Sequence, residues 1–170
     1  MTTIKKHTLK TSLPTSEKVA VYLRSAAKPI SSSSKLHEQE LMQHAYNLGW
    51  TDDTLLLFTD DGRPGTTAIN ERPGLQALVD RIKHDEVKAV IVKSEYTLFR
   101  NAVMAEANTF IHLCQEHNVI VITPEVIYDF TSIAQVHLFC FVLEQTARER
   151  VAISARMNKA KRRTTSQHHL

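Results

Sequence analysis

Arg24, Arg72 and Arg100 each stand where an apolar run, or the short loop beyond it, gives way to polar residues. Guanidinium groups converging on one edge suit a phosphodiester, because each offers paired donors to phosphate oxygens and stays charged. Taken singly, the same arginines are what surface ion pairs are made of. The nearest hydroxyl is Ser25, in Tyr22-Leu23-Arg24-Ser25-Ala26. In an extended backbone neighbouring side chains alternate, so Ser25 is expected to face away from Arg24 unless the loop turns. Asp60 and Asp61 end the second apolar run and could imitate a metal or phospho-acceptor pocket. The first run ends in arginine and not in acids, which disfavours a receiver-type domain. His112, Cys114 and His117 are metal-ligand types, but their spacing spreads them around a helix, so no metal site is expected. No G-x-x-x-x-G-K-[ST] loop exists to cradle a nucleotide, and no cofactor is expected.

These residues are placed by short runs rich in Val, Ile and Leu: KVAVYLR from Lys18, TLLLFTD at 54–60, VKAVIVKS at 87–94 and NVIVITP at 118–124. Near-continuous apolar strands suit a parallel sheet covered on both faces. Helical patterns lie between them: LHEQELMQHAYNLG, stopped by Gly49; PGLQALVDRIKH, opened by Pro73; and AVMAEANTFIHLCQEH. The alternation predicts an α/β fold, an open, mostly parallel sheet of four to five strands with flanking helices. From Ser132, about thirty residues without Gly or Pro predict a long C-terminal helix. The resulting division is a disordered arm over 1–17, an α/β domain over 18–131, the long helix over 132–163 and a tail over 164–170.

Val136, Phe139, Cys140, Leu143, Ala147 and Val151 recur at helical steps along that helix and form one apolar stripe. A helix of roughly 45 Å outruns what a domain of this size covers, so part of the stripe is expected to meet another chain. The alternative is that all of it packs on its own sheet. Arg156, Lys159, Lys161, Arg162 and Arg163 end the helix with no acidic residue among 155–170, either as a phosphate-binding face or as a solvated tail. The whole chain, 170 residues with 21 Lys+Arg against 18 Asp+Glu, is too nearly balanced to argue for nucleic acid by charge alone. Two cysteines outside any C-x-x-C pair argue against a disulfide scaffold or zinc knuckle. Without a membrane-length apolar run or a signal-type start, the expectation is a cytoplasmic chain with no membrane contact.

In this order the pieces resemble the catalytic domain of serine recombinases, the resolvase/invertase family, from about Lys18 to Arg156. Tyr22 and Arg24 match the opening Tyr-x-Arg-x-Ser, and Gln39 matches a glutamine of the first helix. Asp60-Asp61-Gly62-Arg63-Pro64-Gly65 resembles the acidic stretch before a Ser-Gly pair, and Arg72-Pro73-Gly74-Leu75 reproduces Arg-Pro-Gly-Leu. Arg100 falls on the last arginine of Asp-Arg-Leu-x-Arg. Glu149, Arg150, Ile153 and Arg156 resemble Glu-Arg-x-x-Ile-x-x-Arg of the long helix. The resemblance implies DNA as partner, a homodimer or higher oligomer through the long helix, and Arg24, Arg72, Arg100 and Arg150 on phosphate, supported by Tyr22, Gln39, Asp60, Asp61 and Glu149.

The departures fall at the centre of that chemistry. Ala26 occupies the place of the serine that attacks DNA in the family, and alanine has no oxygen to attack with. Pro64 replaces a second serine, and Tyr96-Thr97 replace the Asp-Arg pair. Ser25 is a poor substitute nucleophile. The expectation is a pseudoenzyme of site-specific DNA recombination that acts by association with DNA, weakly and without sequence preference, or with an intact recombinase. A truncated or Ser-to-Ala inactivated recombinase, and an oligomerisation module that never touches DNA, are the alternatives. Nothing after the helix reads as a separate DNA-binding domain.

Overall fold

Val19, Ala20, Val21 and Tyr22 are all fully buried, and their alternation divides the core in two. Ala20 and Tyr22 face one layer with Leu75, Leu78, Ile82, Phe110, Val121 and Phe139. Val19 and Val21 face the other, with Leu41, Ala45, Trp50, Ala89 and Ile91. A strand buried on both faces is what the unbroken apolar run required. The computed structural model describes residues 13–25, 32–64, 66–100 and 104–167, apart from the side chains of 32–34, 150 and 158–167.

Within those residues the elements run β1 (Val19–Ser25), α1 (Ser32–Leu48), β2 (Leu55–Asp61), α2 (Pro73–Lys83), β3 (Ala89–Ile91), α3 (Glu95–Leu98), α4 (Met104–Glu116), β4 (Ile120–Ile122), β5 (Ile127–Asp129) and α5 (Ile133–Gln167). The sheet order is β2-β1-β3-β4-β5. Pairings β1–β2, β1–β3 and β3–β4 are parallel, and β4–β5 is antiparallel. This is the expected α/β fold, a mostly parallel sheet of five strands with flanking helices and a long final helix. Arg24 sits opposite Asp60, and Ser25 opposite Asp61, across the β1–β2 pair.

Local chemistry accounts for the element ends. Gly49 closes α1 at φ 106°, a conformation that costs glycine little. Pro73 opens α2, where its missing N–H is not needed, and Arg81 and Lys83 stand in the last turn, facing the negative end of the helix dipole. Helix α5 spans 35 residues, about 50 Å. Its first turns are held by Phe139, whose ring packs edge-on against Tyr128 and Phe130 at centroid distances of 5.0 and 5.2 Å. The stripe is covered only in part. Phe139 and Leu143 are buried, whereas Val151, Ile153 and Met157 are more than half exposed. On the outer face of the covered portion, Phe141 is 56% exposed. Among the described residues no helix is long and apolar enough to cross a membrane.

Candidate functional site

In an open α/β sheet of order 2-1-3-4-5, chain direction across the sheet reverses between β1 and β3, and a crevice opens at their carboxyl ends. Arg24 on β1 and the α3 segment after β3 occupy that crevice. With only four residues, α3 leaves its carbonyls without helical partners, and such groups attract cations. Two arginines take them up. Arg24 donates through Nε to Thr97 O at 3.2 Å and through Nη2 to Tyr96 O at 3.3 Å. Its Nη1 donates to Arg63 O, beyond β2, at 3.0 Å. Arg72 donates through Nη2 to Thr97 O at 2.8 Å and through Nη1 to Leu98 O.

Arg72 is wholly buried. Its Nη2 also donates to the Tyr22 hydroxyl at 2.6 Å, its guanidinium carbon lies 5.5 Å from the Tyr22 ring centroid, and its Nε stands 3.9 Å from Asp60 Oδ2. Tyr22 in turn donates to Asp60 Oδ2 at 2.8 Å. Burial pushes the Tyr22 phenol well above the usual tyrosine range, with the adjacent Asp60 carboxylate adding to the effect and Arg72 opposing it. Tyr22 is therefore a neutral relay between an acid and a guanidinium. Asp60 also accepts from the Gly74 and Leu75 amides at 2.7 and 2.9 Å, so it caps the first turn of α2 from the end of β2. That approach demands glycine: a Cβ on Gly74 would lie 2.4 Å from Thr59 O.

Behind this cluster, Tyr128 on β5 donates to the buried Glu95 carboxylate, and burial followed by that contact raises the Tyr128 phenol far above its ordinary range. Tyr96 reaches α5, where its hydroxyl donates to Val142 O at 3.4 Å and accepts from the Thr146 hydroxyl. The fold thus brings Tyr22, Arg24, Asp60 and Arg72 into one network. Arg100 is half-buried, two residues past α3, and Ser25 is half-buried with its carbonyl accepting from Arg63 N at 3.1 Å. Asp61 is exposed at the end of β2, Gln39 is exposed on α1, and Glu149 and Arg156 are exposed on α5. Ala26 lies outside the described residues, as do the side chains of Arg150, Lys159, Lys161, Arg162 and Arg163. Of the metal-type residues, Cys114 is buried in the core, where burial pushes its thiol up, while His112 is exposed and His117 pairs with Asp85 at 3.0 Å.

Sequence reasoning missed the 96–98 carbonyls as the partners of Arg24 and Arg72, and missed Glu95, Tyr96 and Thr146 as the supports behind them. The available signal was Glu95 itself, a charged residue just past a buried strand and next to an aromatic one.

A five-stranded sheet of this order, with an arginine crevice at the β1/β3 ends and a long final helix, defines a resolvase-type domain. The chain belongs to the family described as "Resolvase, N terminal domain", whose model matches residues 19–169. Solved structures share the fold. The N-terminal catalytic domain of TP901-1 integrase is similar at 21% identity and TM-score 0.57, over 80% of this chain and 98% of that one. A resolvase family site-specific recombinase from Streptococcus pneumoniae is similar at 17% identity and TM-score 0.54, over 87% and 99%. The C-terminal catalytic domain of ISC1926 TnpA, an IS607-like serine recombinase, is similar at 14% identity and TM-score 0.53, over 76% and 98%. Comparison with curated proteins gives no significant match.

Proposed function

We propose that this resolvase-family chain is a pseudoenzyme of DNA recombination that acts by association, with DNA or with a second recombinase-type chain, and does not cut DNA itself. The observation that carries the reading is the state of Arg24 and Arg72. Arg72 is wholly buried with its Nη donors on Tyr22 and the 97–98 carbonyls, and Arg24 has donors on Tyr96, Thr97 and Arg63. Guanidinium groups held in this way support a loop, whereas phosphoryl transfer needs donors aimed at the developing charge. Association is supported by α5. Val151, Ile153 and Met157 stand open on a helix whose later residues include Lys159, Lys161, Arg162 and Arg163. Its expected place is the cytoplasm, where the free thiols of Cys114 and Cys140 stay reduced.

Gel mobility shift of the protein on unrelated duplexes of equal length at several salt concentrations tests the reading. Weak binding, equal on every sequence and falling steeply as salt rises, is the expected result, because Lys and Arg contacts to phosphate carry no sequence information. Tight, salt-insensitive binding to one sequence would overturn it.

A further inference from the structure

Tyr96 touches both Arg24 and the long helix. Its carbonyl accepts from Arg24 Nη2 at 3.3 Å, and its hydroxyl meets Val142 O and the Thr146 hydroxyl on α5. The next two carbonyls, of Thr97 and Leu98, receive Arg24 Nε and both Nη groups of Arg72. We propose that Tyr96 is a positioning residue that couples the seating of α5 to the geometry of the Arg24–Arg72 pair. With α5 seated, the hydroxyl contacts hold α3 in place, and the carbonyls of α3 hold the guanidinium groups. When a partner or DNA draws α5 away, Tyr96 loses its two contacts, α3 loosens and the arginine donors are released toward phosphate.

Three features support this direction of coupling. Helix α3 has only four residues and keeps few bonds of its own, Thr97 N to Ser94 O and Phe99 N to Glu95 O at 3.0 Å each, so its position depends on side chains. The two contacts on α5 lie one turn apart, at 142 and 146, so they register the helix along its axis as well as its distance. The later part of α5 is open, so a ligand bound there pulls on a helix that this domain holds only through its first turns. The release of arginines toward phosphate rests on the DNA-association reading. The mechanical coupling does not.

Two variants of the full chain keep the packing and remove one hydroxyl each: Tyr96→Phe and Thr146→Val. Hydrogen exchange of the free protein is expected to accelerate at the Thr97 and Phe99 amides in both variants, roughly fivefold in Thr146→Val, the size of one lost hydrogen bond, and at least as much in Tyr96→Phe. The double variant is expected to go no further than Tyr96→Phe, because removing the phenol hydroxyl already breaks both contacts. The Arg24 Nε–H resonance, assigned by its loss in Arg24→Lys, is expected to shift in both. Faster exchange confined to α5, with the Thr97 and Phe99 amides and the Arg24 resonance unmoved, would show that Tyr96 merely anchors the helix and would overturn the proposal. So would additive effects in the double variant. On DNA, Tyr96→Phe is expected to bind about fivefold more tightly than the unaltered protein, with Arg24→Lys cancelling the gain. An unaltered protein that ignores DNA while the Arg24 resonance still responds to Thr146→Val would sink the DNA reading and leave the coupling standing.

Discussion

The Tyr22 hydroxyl donates to Asp60 Oδ2 at 2.8 Å, joining the ends of two parallel strands through side chains that are both buried. The same carboxylate caps α2 at the Gly74 and Leu75 amides, and the same phenol receives Arg72. One acid therefore sets the position of a helix and, through Tyr22, of an arginine.

Removing that charge is expected to be costly. Asp60→Asn keeps the shape but puts an amide donor among donors and leaves Arg72 buried without its acid. The loss should be about 3–5 kcal/mol by urea denaturation, the range for breaking a buried charge pair. Asp61→Asn, one residue on and exposed, should stay within about 0.5 kcal/mol of the parent. Equal effects from the two changes would contradict the assignment of Asp60 as the joint.

The alkaline limb of stability is set by the buried phenols. Tyr22 and Tyr128 have pKa values raised in the folded state, chiefly by burial, so the folded chain keeps protons that the unfolded chain releases near the ordinary tyrosine value of about 10. Their contribution is whole below that value and drains away as pH rises past it. Ultraviolet titration should show Tyr22 and Tyr128 ionising only as the protein unfolds, and Tyr128→Phe should flatten the fall of Tm above about pH 10. Early, reversible ionisation of all four tyrosines would show that these two are not sealed.

Much of the fold was legible because its signals are local. Gly49 ends α1 as expected, Pro73 opens α2, and the runs of β1 and β3 became strands buried on both faces, whereas TLLLFTD became the edge strand β2, with Leu57 exposed. What escaped was short or nonlocal. Strand β5 has three residues, too few for a period, and the range of four to five strands had left it open. Helix α3 has four residues at the end of a predicted strand. The sequence singles out Arg24 and Arg72 as phosphate ligands and Tyr22 and Asp60 as their supports. That Arg72 would be wholly buried could not be read from a charged residue before a proline, since its partners at 22, 97 and 98 are remote in the chain. The stripe on α5 was visible from spacing, while the point where its cover stops depended on where the sheet ends.

That point separates two phenylalanines two residues apart. Phe139 belongs to the domain's own core, against Tyr128 and Phe130, so Phe139→Ala should cost about 3–5 kcal/mol. Phe141 is exposed, and Phe141→Glu or Ile153→Glu should leave the fold intact and weaken self-association seen by sedimentation at micromolar concentrations. A parent protein that sediments as a monomer, unchanged by either glutamate, would remove the association surface from α5.

On the proposed reading, Ala26 stands at the nucleophile position of the resembled motif, Pro64 at its second serine, and Tyr96-Thr97 at its acid and arginine. The side chain of Tyr96 is engaged with α5, and Arg24 and Arg72 donate to the carbonyls of the same segment. Returning one hydroxyl restores an attacking atom without restoring the second serine, the acid or the further arginine of the resembled motif, and losses within a cooperating site do not add. Ala26→Ser alone is therefore expected to give no protein–DNA adduct on a denaturing gel with supercoiled or suicide substrates. An adduct in the unaltered chain would point to Ser25 as nucleophile and overturn the pseudoenzyme reading. Robust cleavage by Ala26→Ser would mean that Arg24, Arg72 and Arg100 suffice to hold the phosphate without the second serine, the acid and the further arginine of the resembled motif.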